Sequence, residues 1–248
     1  MPLLTTSRLR SGALSLAALA GLALAQPASA VVLTNATATF SQPGFSVGAA
    51  TNGSTGDGTG WAIGTSTVNI VSQTAVWETQ ADISGNRLDF QFIQNFPSPA
   101  FHLIGRFRLS TTTDDRSAFA DGLATGGDVT ANWIVLTAPA VSGPAGMTFT
   151  TLGDNSVLVG GPVPATGTYD ISYTGAYANV TGIRLEVMEH PSLPHDGPGL
   201  QPTNGNFVLT ELVVNDSTVV PLLRLCHCWQ QASRRSSTSA AAANFLPA

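Results

Sequence analysis

The stretch from Thr181 to Val214 reads TGIRLEVMEHPSLPHDGPGLQPTNGNFVLTELVV. Two strand-like runs, Gly182–Met188 and Asn206–Val214, flank a loop that is rich in proline and glycine. Short apolar runs between such turn residues are typical of β-strands. Inside the second run, Glu211 lies among apolar residues. Because burial of an unpaired charge is costly, we expect this carboxylate to have a partner.

The same pattern of short runs and turns extends upstream as far as Val31. Leu88, Phe90 and Phe92 alternate with polar residues, as in a half-buried strand. Further strand-like runs are 31–40, 61–63, 68–71, 75–83, 102–110, 128–136, 147–151, 156–159 and 168–173. Many short strands without a convincing amphipathic helix predict one all-β domain over residues 31–217, an antiparallel β-sandwich of the jelly-roll form.

The first 30 residues have the three parts of a secretory signal peptide. Arg8 and Arg10 provide the positive start, residues 13–25 the apolar centre, and Ala28-Ser29-Ala30 the cleavage signal. After cleavage, no apolar run approaches the roughly 18–20 residues of a spanning helix. We therefore expect a secreted or cell-surface protein without a transmembrane helix in the mature chain.

The charge distribution argues against nucleic acid as a partner. The chain has no lysine, and residues 31–220 contain five arginines against all fifteen acidic residues. An acidic domain is a poor ligand for nucleic acid or an anionic membrane. Both cysteines, Cys226 and Cys228, lie in the tail, so no disulfide can hold the main domain together.

Several motifs resemble those of one family. They are GWAI at 60–63, AVWE at 75–78, HLIGRFRLS at 102–110, GIRLE at 182–186 and GNFVLTE at 205–211. Together they resemble galactose-binding-like jelly-roll modules of exported bacterial proteins, especially those of planctomycetes and of the PEP-CTERM surface-sorting class. The resemblance spans about residues 34–215 and implies a non-catalytic module that binds glycans or proteins.

The same resemblance implies a structural Ca²⁺ between an early loop and an acidic residue of the last strand. The matching turn here is Ala49–Gly53, with Asn52 in the place of the typical aspartate, and the acidic residue is Glu211. Asp57 is a third candidate ligand, because calcium takes six to eight oxygen ligands. The alternative is an ion pair between Glu211 and an arginine across the sheet, for which the candidates are Arg106, Arg108 and Arg184.

Residues 218–248 have a different composition and predict a disordered tail. Val219-Val220-Pro221-Leu222 resembles the approach to a PEP-CTERM sorting signal, but no Pro-Glu-Pro motif or apolar helix follows. We therefore interpret the tail as a degenerate or frameshifted sorting signal. Resequencing the gene tests this, since an intact reading without an alternative Pro-Glu-Pro frame would remove the hypothesis.

Two aromatic residues are candidates for sugar stacking. Trp61 is one, although tryptophans inside strands of a sandwich usually pack in the core. Tyr177 is the other, because it lies in the predicted turn Gly175–Asn179. The expected function is recognition of a glycan or surface polymer through loops at one end of the sandwich. The alternatives are a purely structural or assembly module and, third, a polysaccharide-active enzyme, for which no Gly-x-Ser-x-Gly motif is present.

Overall fold

The structure is a computed structural model that describes residues 24–25, 29–56, 58–64, 70–97, 100–217 and 219–220. These residues form fourteen strands and three short 3₁₀ helices. The strands are β1 (Leu24–Ala25), β2 (Ser29–Ala30), β3 (Leu33–Ala38), β4 (Trp61–Ala62), β5 (Gln73–Gln94), β6 (Arg106–Thr112), β7 (Ile134–Val135), β8 (Ala140–Ser142), β9 (Thr148–Thr151), β10 (Val157–Gly160), β11 (Gly167–Val187), β12 (Val208–Leu209), β13 (Glu211–Ser217) and β14 (Val219–Val220). The 3₁₀ helices are Val47–Thr51, Arg116–Ala118 and Pro194–Asp196.

Nearly all of the described residues belong to one compact unit, Ala25–Val219. A second unit groups Met1–Leu24 with Val220–Ala248, and only Leu24 and Val220 of it are described. Most of the predicted signal peptide and nearly all of the predicted tail therefore lie outside the described residues. Within the described ranges, no helix is long and apolar enough to cross a membrane.

Two long antiparallel strands, β5 and β11, organise the domain. They pair with each other over nearly their whole length, from Gln73↔Val187 to Gln94↔Gly167. Their sequences are rich in the β-branched and aromatic residues that favour strands. The register shifts three times between Thr174 and Gly182, so the ribbon is irregular in its middle.

The two halves of this ribbon belong to different sheets. The first half of β5 pairs with β3, and the second half of β11 pairs with β6, which continues through β10 to the edge strand β9. The second half of β5 pairs with β13, and the first half of β11 pairs with β8. We call these the first and the second sheet. All of these pairings are antiparallel.

The hydrophobic core lies between the two sheets. Phe92 of the second sheet contacts Phe107 of the first edge-to-face, with ring centroids 5.0 Å apart. Phe107 also stacks against Tyr169 at 6.5 Å. All three rings are fully buried. Alternate apolar side chains of the paired strands thus pack between the two sheets, as in other sandwiches. The predicted all-β antiparallel β-sandwich is confirmed.

The predicted strand breaks inside the ribbon are wrong. Residues 75–83 and 87–93 were expected to form separate strands, and so were residues 168–173 and 182–188. In the structure both pairs are continuous, because the ladder passes through the glycine-containing middle with bulges instead of ending there. Isolated glycines in a strand often mark such a bulge rather than a turn.

Candidate functional site

Glu211 begins β13 and is held by the loop that follows the 3₁₀ helix Val47–Thr51. The Gly53 backbone N–H donates to Glu211 Oε1 at 3.2 Å, and the Asn52 backbone N–H also acts on the pKa of the carboxyl. Glu211 is only 7% exposed. Burial raises the pKa of its carboxyl, and the two backbone N–H groups oppose part of that rise.

The second carboxylate oxygen, Glu211 Oε2, is buried and has no hydrogen-bond partner among the described residues. A buried polar atom without a partner costs free energy unless something else satisfies it. A hard cation is one such partner, since calcium favours carboxylate, amide and backbone oxygens. The residues present therefore fit a calcium ion at this point of the loop.

Asn52 lies on the same loop as the groups that hold Glu211. Its side chain is exposed, and its Oδ1 accepts a hydrogen bond from the Ser54 backbone N–H at 2.8 Å. An amide oxygen has a second lone pair that this turn leaves free. The structure thus places the backbone of Asn52 and Gly53 beside Glu211, while Asp57 lies outside the described residues. The described part of the chain contains no cluster of three or more His, Cys, Asp or Glu side chains, so backbone oxygens would have to complete a calcium site.

The arginines predicted as alternative partners of Glu211 pair with other carboxylates. Arg108 donates from Nε and Nη2 to Glu186 at 2.7 and 2.9 Å. Arg184 lies 3.0 Å from the same carboxylate, and Arg106 lies 2.7 Å from Asp154. These side chains form a half-buried network on the first sheet. The predicted ion pair of Glu211 with one of these arginines is therefore wrong.

Trp61 is a core residue. It is fully buried, its indole N–H donates to the Phe40 carbonyl at 3.1 Å, and its ring contacts Phe207 edge-to-face at 5.2 Å. The preceding Gly60 has a φ of +147°, and a Cβ there would lie 2.5 Å from the Leu209 carbonyl oxygen. This close approach of β4 to β12 encloses the ring. The placement contradicts the prediction that Trp61 stacks on a ligand.

Tyr177 lies within β11, opposite Gly85 in the irregular middle of the ribbon. Its ring is half-buried against the core, and burial raises the pKa of its hydroxyl. The predicted exposed turn Gly175–Asn179 is therefore wrong, because these residues continue the strand. A role of Tyr177 in ligand binding stays a prediction.

A groove of about 420 Å³ lies on the second sheet, on the face turned away from the core. Arg87, Asp89 and Gln91 of β5 line it, since they alternate with the buried Leu88, Phe90 and Phe92. We call it the polar groove. Its other polar lining residues come from three neighbouring strands: Ser142 of β8, Asp170 and Ser172 of β11, and Asn215 of β13.

Strand register arranges these side chains in two rows across the sheet. Asn215 pairs with Asp89, which pairs with Ser172 on the other side. In the next row, Gln91 pairs with Asp170, which pairs with Ser142. Neighbouring strands are about 4.8 Å apart, so the four strands of the groove span about 14 Å. Hydrogen-bonding side chains therefore cover an elongated surface.

Hydrogen bonds between neighbours orient the charged groups of the polar groove. Arg87 Nε donates to both carboxylate oxygens of Asp89 at 2.9 Å. Gln91 Nε2 donates to Asp170 Oδ1 at 2.7 Å. Asp170 is exposed, and Arg87, Asp89 and Gln91 are half-exposed. The groove thus presents guanidinium, carboxylate and amide groups that are hydrogen-bonded to their neighbours.

Sequence reasoning did not identify the polar groove as a site. The alternation of Arg87, Asp89 and Gln91 with apolar residues was visible, and it showed that one face of this strand is polar. The partners Asp170, Ser172 and Asn215 lie about 80 to 125 residues further along the chain. Only the strand order of the second sheet brings them together.

Comparisons with known proteins give structural neighbours only. No protein-family model and no curated protein matches the chain. Among solved structures, chitosan-binding module 1 of a chitosanase/glucanase from Paenibacillus sp. IK-5 is similar with a TM-score of 0.42 and 16% identity, over 74% of this chain and 97% of that one. The Clostridium perfringens module CpGH89CBM32-5, in complex with GalNAc-β-1,3-galactose, has a TM-score of 0.43 and 15% identity, over 75% and 99%. The family 32 carbohydrate-binding module of C. perfringens NanJ, in complex with galactose, has a TM-score of 0.39 and 11% identity, over 75% and 98%.

Proposed function

We propose that this protein is an exported, non-catalytic module that recognises a glycan or an extracellular polymer through the polar groove. The observation that carries the proposal is the pair of hydrogen-bonding rows across four strands of the second sheet. Sugar hydroxyls both donate and accept hydrogen bonds, and guanidinium, carboxylate and amide groups offer complementary donors and acceptors. The open, elongated shape fits an extended chain better than a small apolar molecule, which favours an enclosed apolar pocket.

Export is part of the proposal and rests on the signal-peptide pattern of residues 1–30. Cleavage after Ala30 would remove β2, which pairs with Asn215 and Asp216 of β13. The mature chain would begin at Val31. In the structure, the backbone N–H of Val31 donates to the Val214 carbonyl oxygen at 2.9 Å. The new N-terminus would therefore lie at the edge of the second sheet, beside the strand that supplies Asn215.

The groove proposal predicts that Gln91→Ala weakens glycan binding roughly tenfold, because removing one good hydrogen-bonding side chain costs on the order of 1.4 kcal/mol. Binding of the folded protein is screened on a glycan array, and the dissociation constant of the best ligand is then measured for each variant. Gln80→Ala is the matched control, since Gln80 is an exposed glutamine of the same strand in the first sheet. It should bind as the wild type does.

Two outcomes of that screen and a separate activity assay distinguish the candidate functions. Glycan binding that Gln91→Ala weakens and Gln80→Ala preserves supports the proposal. A folded protein that binds no glycan on the array supports the alternative, a structural or assembly module of the cell surface. Turnover of a polysaccharide panel would support the third candidate, an enzyme.

We also propose that Glu211 binds a calcium ion through its unpartnered Oε2, with Asn52 as a second side-chain ligand. The calcium ion would supply the positive charge that a buried carboxylate lacks. Glu211 Oε1 keeps its hydrogen bond from Gly53, which holds the carboxylate in place. The ion would thereby fix the loop after the 3₁₀ helix against the start of β13.

If Glu211 binds calcium, the stabilities of the wild type and of Glu211→Gln should respond differently to the ion. In EDTA, burial raises the pKa of Glu211 above its value in the unfolded chain, so the stability that this group contributes at low pH is lost as pH rises through the folded-state pKa. Glu211→Gln, which stays neutral, should then be more stable than the wild type at pH 7. Saturating Ca²⁺ should raise the stability of the wild type by a few kcal/mol through ligand linkage and leave the variant unchanged.

Thermal unfolding of both proteins, with EDTA and with excess Ca²⁺, measures these four stabilities. Equal melting temperatures of the wild type with and without calcium would refute the site. The glycan proposal would be unaffected by that result, since the polar groove lies on different residues.

A further inference from the structure

We propose that Asn52 is a site of spontaneous deamidation, in which its side-chain amide is converted to a carboxylate. The sequence contains two Asn-Gly pairs, Asn52-Gly53 and Asn204-Gly205. An Asn-Gly pair is chemically reactive because glycine has no side chain to hinder attack of its backbone nitrogen on the asparagine amide. The structure distinguishes the two pairs sharply and assigns the reaction to the first. The inference does not depend on the proposed glycan or calcium binding.

The two pairs share the same local turn. Asn52 Oδ1 accepts from the Ser54 N–H at 2.8 Å, and Asn204 Oδ1 accepts from the Asn206 N–H at 3.0 Å. Such a turn folds the asparagine side chain back over the following peptide group. In both pairs, the backbone N–H two residues further on thus holds the asparagine side chain in the same way. Local geometry alone does not separate them.

Packing around the glycine separates them. Gly53 is exposed, and a Cβ added to it would meet no atom within 4 Å. A Cβ on Gly205 would lie 2.4 Å from the Pro194 carbonyl oxygen and 3.2 Å from Gly197 Cα. Formation of the five-membered succinimide ring moves the peptide group between the two residues. The loop at Gly53 has room for that movement, and the enclosed loop at Gly205 does not.

The hydrogen-bond acceptor of the glycine N–H also differs. Gly53 N–H donates to a carboxylate oxygen, Glu211 Oε1, at 3.2 Å. Gly205 N–H donates to the Gln201 backbone carbonyl at 2.8 Å. A carboxylate within hydrogen-bond reach can take the proton that the attacking nitrogen must lose, whereas a backbone carbonyl cannot.

The reaction balances without any cofactor. The Gly53 nitrogen attacks Asn52 Cγ, and this attack forms the new C–N bond of the succinimide. The nitrogen passes its proton to Glu211 Oε1. The bond from Cγ to Nδ2 breaks, and ammonia leaves with the proton returned from Glu211. Water then opens the ring on either side, which yields aspartate or isoaspartate at position 52. The product adds a negative charge to the loop that holds Glu211.

The test follows both sites by peptide mass spectrometry during incubation of the full chain at neutral pH in EDTA. Deamidation adds about one mass unit to the peptide, and the two Asn-Gly pairs lie in separate peptides. In the folded protein, we expect Asn52 to react on the order of tenfold faster than Asn204 or more, because Asn204 reacts only after its packed loop opens. In 8 M urea, which removes the packing, the two rates should become similar.

Equal rates at the two sites in the folded protein, or a faster reaction at Asn204, would overturn the proposal. So would a folded protein that leaves Asn52 intact over a period in which both sites react in urea. The wild-type chain supplies both the site and its control, so the test does not depend on a variant that folds.

Discussion

Trp61→Ala is expected to lower the free energy of unfolding by about 4 kcal/mol, as substitution of large buried aromatic residues by alanine does. The ring is fully buried, contacts Phe207 at 5.2 Å and donates its indole N–H to Phe40. Its removal leaves a cavity between β4 and the core and an unpaired carbonyl at Phe40. Urea unfolding of both proteins measures the difference.

The result separates two roles for this tryptophan. A residue that stacks on a ligand at the surface would lose affinity when replaced and change stability by roughly 0.5 kcal/mol or less. Trp61→Phe, which keeps an aromatic ring but loses the hydrogen bond, should fall between the wild type and Trp61→Ala. A Trp61→Ala protein as stable as the wild type would contradict the core assignment.

Glu186→Gln is expected to cost about 2 kcal/mol, because hydrogen bonds to charged groups contribute about 1.5–3 kcal/mol and this half-buried network loses its shared carboxylate. The Glu186 carboxylate receives two hydrogen bonds from Arg108 and lies 3.0 Å from Arg184. The side chains of all three residues are about one fifth exposed or less. Among the residues that the structure describes, Arg184 pairs with no second carboxylate, and its other neighbours are Ser110 and the ring of Trp133.

Asp82→Asn is the matched control for that variant. Asp82 pairs with Arg116 at 2.7 Å, but its side chain is about half exposed. Exposed ion pairs contribute about 0–1 kcal/mol, so the control should be nearly as stable as the wild type. Chemical denaturation at low and at high salt compares the two, and equal losses in both variants would contradict the assigned role of Glu186.

The fold class followed from the sequence because period-two alternation and turn residues recur along the chain. The polar face of residues 87–93 and the buried position of Glu211 were also visible, since both depend on residues close in sequence. Strand continuity was not visible. A strand break between residues 83 and 87 and a turn at Gly175–Asn179 were predicted, and only the long-range pairing of β5 with β11 carries the ladder through both.

The candidate site followed from the sequence only in part. Asn52 and Glu211 were predicted to share a calcium site, and the structure places the backbone of the Asn52 loop beside Glu211 of β13. The polar groove was not predicted, because strand order cannot be derived from local pattern when ten strands share one connected network. Trp61 was misassigned since a tryptophan beside a glycine looks the same in sequence whether the glycine opens a surface loop or permits close packing.

Mapping the bound glycan onto the protein tests the central claim most directly. Backbone amide chemical shifts are recorded while the best array ligand is titrated into the folded protein. We predict that the largest changes occur on the four strands of the polar groove, at Gln91, Ser142, Ser172 and Asn215. Changes confined to the loops at the ends of the sandwich, such as residues 52–56, would contradict the claim that the polar groove is the binding site.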